Sequence, residues 1–322
     1  MKRLILGVTA TLISACAIFT DPSATPPPVL STDHRLQVPG AHDGSPVRIY
    51  VKEKRAASLD VSTVATTGKV VLLAHGAGTP GSLVFDLQVP AAAQTYSMMD
   101  YLATKGFDVF AIDYQNYGLS DRHACGLCVT ADKAALDVDA AVEHIRKLRG
   151  VARVHLVGWS WGANITALYA SRHPDKVGRL VMYAPPMWTA HRGDAPTAQF
   201  RKVAEQALRR LLEPSASDPP AVDVLVKGVL ESTPEPPNGV LMDLTRRMPL
   251  NDPTTLKRPT MIVYGELDGQ TPVKEPNLPA FFTSIPVMDK QLRIIPGAGH
   301  FMVIQKQRLR FYQEVAQWLE TQ

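Results

Sequence analysis

The sequence predicts an α/β fold: a mainly parallel sheet with helices on both faces, broken by one helical insertion. Three observations carry this. Short apolar runs, mostly β-branched, recur along the chain; segments of helical composition separate them; and residues 187–256 hold helical patches but no convincing buried strand. Runs that are apolar throughout suit strands buried on both faces of a parallel sheet. Strands alternating with helices make a sheet covered on both sides. In order, strands are expected at 47–51, 70–74, 109–113, 154–157, 180–184, 261–264 and 292–295. Helices are expected at 96–105, 131–149, 163–173 and 303–319. In the second of these Leu136, Val138, Ala140, Ala141, Ile145 and Leu148 form the expected apolar stripe, with charged positions between. The insertion carries its helical patches at 199–212, 222–230 and 241–248. Of the chain's 26 prolines, 12 fall between Pro185 and Pro259 and punctuate these patches. Leaving the sheet after 180–184 and returning at Pro259, it is expected to lie over one end of the sheet.

Composition narrows the function. The 322 residues carry 34 Lys+Arg against 30 Asp+Glu, a formal charge of +4, and the basic residues are scattered rather than gathered in a stripe, which argues against nucleic-acid binding. A hydrophobic fraction of 45% is that of an ordinary globular chain, long enough to bury its own core without a metal or disulfide staple. Lys2 and Arg3 precede an apolar stretch at 4–15 that is short of the roughly 20 residues needed to span a bilayer, the pattern of a secretory signal peptide. Its end, Ile13-Ser14-Ala15-Cys16, resembles the lipobox of bacterial lipoproteins, in which the cysteine is lipidated and becomes the first mature residue. Without Lys2 and Arg3 the charge falls from +4 to +2. The prolines that follow, within 21–28, favour an extended spacer. Residues 1–15 are therefore read as a signal peptide and 16–34 as a Pro-rich tether to a membrane of the bacterial envelope.

The chemistry centres on Gly158-Trp159-Ser160-Trp161-Gly162, which follows one expected strand and opens one expected helix. In that setting G-x-S-x-G is a tight strand-to-helix turn that exposes the serine hydroxyl, beside the positive end of a helix dipole. A serine needs a base. Of nine histidines, His300 is the candidate, because Pro296-Gly297-Ala298-Gly299 carries it just past the C-terminal end of a strand, where open α/β sheets bind ligands. The orienting acid is expected to be Asp268, in a loop directly after the strand 261–264, with Glu266 as the rival. His75-Gly76-Ala77-Gly78 follows the strand 70–74; the N–H groups of Ala77 and Trp161 are the expected oxyanion donors, with His75 shaping the loop.

These motifs together resemble the α/β-hydrolase superfamily over about residues 35–322, in its serine esterase and lipase-like branch. The resemblance adds the segment 113–120 (DYQNYGLS), often seen as D-x-x-G-x-G-x-S, in which Asn116 stands where the first glycine is usual. It implies a core of 35–186 and 257–322 and makes 187–256 the family's cap. Ser160 at the elbow argues against the dehalogenase and epoxide hydrolase branches, which use aspartate there. The implied activity is cleavage of a carboxylic ester of a small molecule through an acyl-enzyme, without metal or organic cofactor; a lactone, amide or C–C bond substrate, or ligand binding without catalysis, stays open. Trp159, Trp161, Met187 and Trp188 are candidates for an apolar pocket, or equally for packing. Cys125 and Cys128 are expected to form a disulfide in an exported protein; a metal site using His123 lacks an evident fourth ligand. Oligomeric state is not legible.

Overall fold

The computed structural model describes residues 28–187 and 193–321; the signal segment, Cys16 and Trp188 lie outside them. Eight strands form one sheet: β1 (Val29–Pro39), β2 (Pro46–Ala56), β3 (Val70–Ala74), β4 (Asp108–Asp113), β5 (Val154–Trp159), β6 (Val177–Tyr183), β7 (Thr260–Gly265) and β8 (Lys290–Ile295). Their spatial order is β1-β2-β4-β3-β5-β6-β7-β8. Strand β2 is antiparallel to both neighbours, and β4 through β8 run parallel.

Strands β3, β4, β6 and β7 are buried along their whole length, as their largely apolar sequences favour, with Asp108, Asp113, Arg179 and Thr260 as buried polar exceptions. Strand β8 differs: it is an edge, and Ile294 is exposed. Strand β1 was not anticipated. It begins at Val29, six residues before the expected start of the core, so the spacer reading holds no further than Pro28. Its polar sequence STDHRLQ hides it, because an edge strand paired on one side needs only every other residue half-buried.

The α-helices of seven residues or more, among the described residues, are α1 (Met98–Thr104), α2 (Ala131–Arg149), α3 (Trp161–Arg172), α4 (Glu205–Leu211), α5 (Pro219–Ser232), α6 (Gly239–Arg246), α7 (Leu278–Ser284) and α8 (Arg308–Glu320). The crossover β3–α1–β4 runs one way along the sheet and β4–α2–β5 runs back. Right-handed crossovers therefore put α1 and α2 on opposite faces. Helix α3 packs on α2, and α8 on α1. The expected stripe on α2 is corrected in part: Leu136 and Leu148 are exposed, and the buried face is Ala134, Ala135, Val138, Ala141, Val142 and Ile145. At about 100° per residue, position 136 points away from 134, 138 and 141.

Between β6 and β7 the chain leaves the sheet and forms α4, α5 and α6. Asp243 on α6 anchors this insertion: its Oδ2 accepts from Ala131 N at 2.6 Å and Trp161 Nε1 at 3.0 Å, and its Oδ1 from Arg247 Nη1 at 2.6 Å. One buried carboxylate thus ties the insertion to the first residues of α2 and α3.

Candidate active site

The reversal of strand order lies between β3 and β5, which pair side by side with Ala74 opposite Gly158. The loops after these two strands carry the His75–Gly78 and Gly158–Gly162 motifs, so both meet at the crevice where open sheets bind ligands.

Ser160 sits between β5 and α3 at φ 55° and ψ −122°, a backbone conformation that costs a non-glycine residue on the order of 1–3 kcal/mol. The surroundings hold it there. Its N–H donates to Tyr183 O at 2.7 Å, and its carbonyl accepts from Ala163 N at 3.0 Å. The flanking glycines are steric requirements: a Cβ on Gly158 would lie 2.4 Å from Gly162 O, and one on Gly162 would lie 2.3 Å from His75 O.

His300 and Asp268 are brought together by the neighbouring loops after β8 and β7. His300 Nδ1 is 2.8 Å from Asp268 Oδ2, and both residues are buried. Asp268 Oδ1 accepts from the N–H groups of Gln270 (2.9 Å) and Thr271 (2.8 Å), and the Thr271 hydroxyl reaches Oδ2 at 2.7 Å. A carboxylate so surrounded by donors is fixed in direction. With Nδ1–H given to Asp268, Nε2 is the basic nitrogen of the ring. The carbonyl of His300 accepts from Trp159 Nε1 at 3.0 Å and from the Tyr183 hydroxyl at 2.6 Å. The rival Glu266 is turned elsewhere, accepting from Gly297 N at 3.0 Å.

His75 is fully buried. Its Nε2 accepts from Tyr114 N at 3.2 Å, so the proton is on Nδ1, which donates to Gly76 O at 2.7 Å. Burial holds its pKa down at about 3, so the ring stays neutral and shapes the loop. Ala77, at the turn of that loop, is half-exposed at the cavity. Trp161 is the first residue of α3, and helix geometry gives its N–H no intrahelical acceptor.

A cavity of about 400 Å³ lies over these groups, with Ser160, His300 and Ala77 in its wall and the insertion as its other side. The pocket candidates divide. Trp159 borders the cavity, but its indole is 1% exposed and spent on the His300 carbonyl. Trp161 turns its indole to Asp243, Met187 is buried and not in the cavity wall, and Trp188 lies outside the described residues. The wall is built instead from Leu208, Leu211, Val229, Arg201 and Thr271, which sequence reasoning missed. No local motif marks them: the first four face inward only through tertiary docking of the insertion, and Thr271 comes from the loop after β7.

Residues 69–307 match the family described as alpha/beta hydrolase fold. The chain belongs to that family. Among relatives of this α/β-hydrolase, a 2-hydroxy-6-oxononadienedioate/2-hydroxy-6-oxononatrienedioate hydrolase of Burkholderia vietnamiensis is 26% identical over 140 residues, 44% of this chain and 41% of the relative. A proline iminopeptidase of Neisseria gonorrhoeae is 28% identical over 93 residues, 29% of each chain. These matches span less than half the length of either relative. An esterase structure from Thermogutta terrifontis superposes with a TM-score of 0.63 at 19% identity, covering 89% of this chain and all of that one, a likeness of fold.

Two further features of this α/β-hydrolase concern residues that the sequence singled out. Asn116, at the usual glycine position, has φ 66°, a left-handed conformation asparagine tolerates better than most residues. Cys125 and Cys128 are joined by a disulfide. His42 Nδ1 lies 3.8 Å from Cys128 Sγ, and these three side chains are the metal-capable group among the described residues. Sulfurs bonded to each other are not thiolate ligands, so the donor set does not fit a metal.

Proposed function

We propose that this α/β-hydrolase is a serine hydrolase that cleaves a carboxylic ester through an acyl-enzyme. Ser160 attacks the carbonyl, His300 Nε2 takes its proton, and Asp268 holds the imidazole and stabilises its cation. The N–H groups of Ala77 and Trp161 receive the oxyanion, each worth roughly 3–4 kcal/mol in the transition state. The alcohol leaves with the proton from His300, and water activated by the same nitrogen releases the acid. The observation that carries the reading is the 2.8 Å His300–Asp268 pair in one cavity with a serine held at φ 55°.

The helices between β6 and β7 act as the cap that shapes specificity. Arg201 and Lys202 are the charged residues of the cavity wall, and no carboxylate lines it among the described residues. A neutral or anionic substrate therefore suits it better than a cation. The relative named as a hydrolase of a 2-hydroxy-6-oxo dienedioate supports a second reading, the same three residues cleaving a C–C bond of an anionic ketone. Fluorophosphonate labelling tests the nucleophile: full labelling of Ser160→Ala would remove it. A panel of p-nitrophenyl esters, neutral, anionic and cationic, run beside a dienedioate ketone, separates the two readings.

The segment 1–16 supports export and lipidation of Cys16, giving an anchor in the bacterial envelope. No helix among the described residues is long and apolar enough to cross a membrane. Palmitate incorporation in Cys16→Ser cells at the wild-type level would sink the anchor.

A further inference from the structure

We infer that Glu213, in the insertion, is a positioning residue for His300, coupling the seat of the cap to the base; this rests on the Ser160–His300–Asp268 reading. Glu213 lies just beyond α4, where the chain turns out of the helix, with φ 49°. That is the left-handed position after a helix which glycine fills without strain and glutamate does not.

The side chain accounts for the choice. Its Oε2 accepts the His300 N–H at 2.8 Å and Gln305 Nε2 at 2.8 Å, while Oε1 lies 3.4 Å from Gly269 N. Gly299 makes the room: a Cβ there would sit 1.7 Å from the Glu213 carboxylate. Gln305 completes the set, its Oε1 accepting Gly299 N at 2.7 Å and its Nε2 donating to Leu212 O at 3.1 Å. The peptide groups on both sides of the His300 ring are therefore held. Its carbonyl is fixed from the core by Trp159 and Tyr183, and its N–H from the insertion by Glu213. One carboxylate also bridges the loop that carries the acid and the loop that carries the base.

The charge matters as well as the contact. The ionisable groups facing Glu213 are Asp268, His300 and the buried Tyr183 phenol, and burial raises its carboxyl above the ordinary value. Around His300 the facing groups are Asp268 and Glu213, with the Thr271 hydroxyl 3.2 Å from Nδ1. When ionised, Glu213 adds a second negative charge beside the imidazolium that forms during acylation.

Two variants of the full chain test this. Glu213→Gly accepts the left-handed backbone without strain, so it removes the carboxylate while sparing the turn. Its kcat on the best p-nitrophenyl ester is expected to fall about tenfold or more, with KM changed less than about threefold. Glu213→Gln keeps an acceptor for the His300 N–H and is expected to recover kcat to within about threefold of wild type. Lacking the charge, it should also move the acidic limb of the kcat/KM profile to lower pH, because the protonated imidazole is less favoured. Wild-type kcat in Glu213→Gly, or a loss carried wholly by KM, overturns the proposal. Should the glycine variant fail to fold, an unmoved acidic limb in Glu213→Gln does the same. If fluorophosphonate labels wild type and not Ser160→Ala while either overturning result holds, this proposal falls alone. If wild type takes no label at Ser160, it falls with the reading beneath it.

Discussion

Gly76 and Ser160 approach so closely that a Cβ on Gly76 would lie 2.9 Å from the Ser160 Cβ and 3.2 Å from Trp159 O. The loop 75–78 and the elbow are thus in close contact, backbone against side chain. Gly76→Ala should displace Ser160 or the loop by a few tenths of an ångström. We expect kcat to fall by about ten- to hundredfold, with fluorophosphonate labelling slowed in parallel. An alanine variant that labels at the wild-type rate would show that the loop has slack there.

The acid should divide into two tiers. Asp268→Asn removes the charge that fixes the His300 tautomer, and kcat is expected to drop by about 10⁴. Thr271→Val removes only the hydroxyl 2.7 Å from Asp268 Oδ2 and leaves both backbone N–H bonds to Oδ1 in place. Its loss should stay below about tenfold. Steady-state kinetics on one ester decide this, and equal losses in the two variants would make the hydroxyl as important as the charge.

Stability should depend on pH through Asp137. This carboxyl is buried beneath Gln115, whose Nε2 and N–H donate to it at 2.6 and 3.1 Å. Burial pushes its pKa up to about 7 from an ordinary 3.8. Between those values the folded chain keeps a proton that the unfolded chain has released. The group's contribution is complete below about pH 4 and is lost as pH rises through about 7. Asp137→Asn stays neutral throughout, so its Tm relative to wild type should rise between pH 5 and pH 8. A constant difference across that range would show that Asp137 titrates normally.

The Cys125–Cys128 disulfide should matter little to catalysis. Its sequence separation is 3, and so short a loop contributes only about 2 kcal/mol by chain entropy. Neither cysteine lines the cavity. The double serine variant is expected to lose no more than about 8 °C in Tm and to keep kcat/KM within about twofold. A larger loss of activity at unchanged Tm would assign the clasp a role in the site.

The α/β class and the family were legible in the chain alone, which also singled out Ser160, Asp268, His300 and the loop 75–78 as candidates for the site. Each is legible because its signal is local. A buried parallel strand is apolar throughout, the elbow needs glycines at fixed places, and the loops that end strands carry glycine and proline around the reactive side chain. Asn116 was visible as a departure from the usual glycine, but its left-handed backbone was not. Tertiary structure alone decided what surrounds them. Strand β1 was hidden because an edge strand needs little hydrophobicity. Glu213 and the wall residues Arg201, Leu208, Leu211 and Val229 were hidden because they come from an insertion whose own sequence says only that it is helical. Which faces of those helices turn toward Ser160, and that a carboxylate of the insertion grips the His300 N–H, depends on docking across 87 residues of chain. No spacing within the insertion encodes that distance.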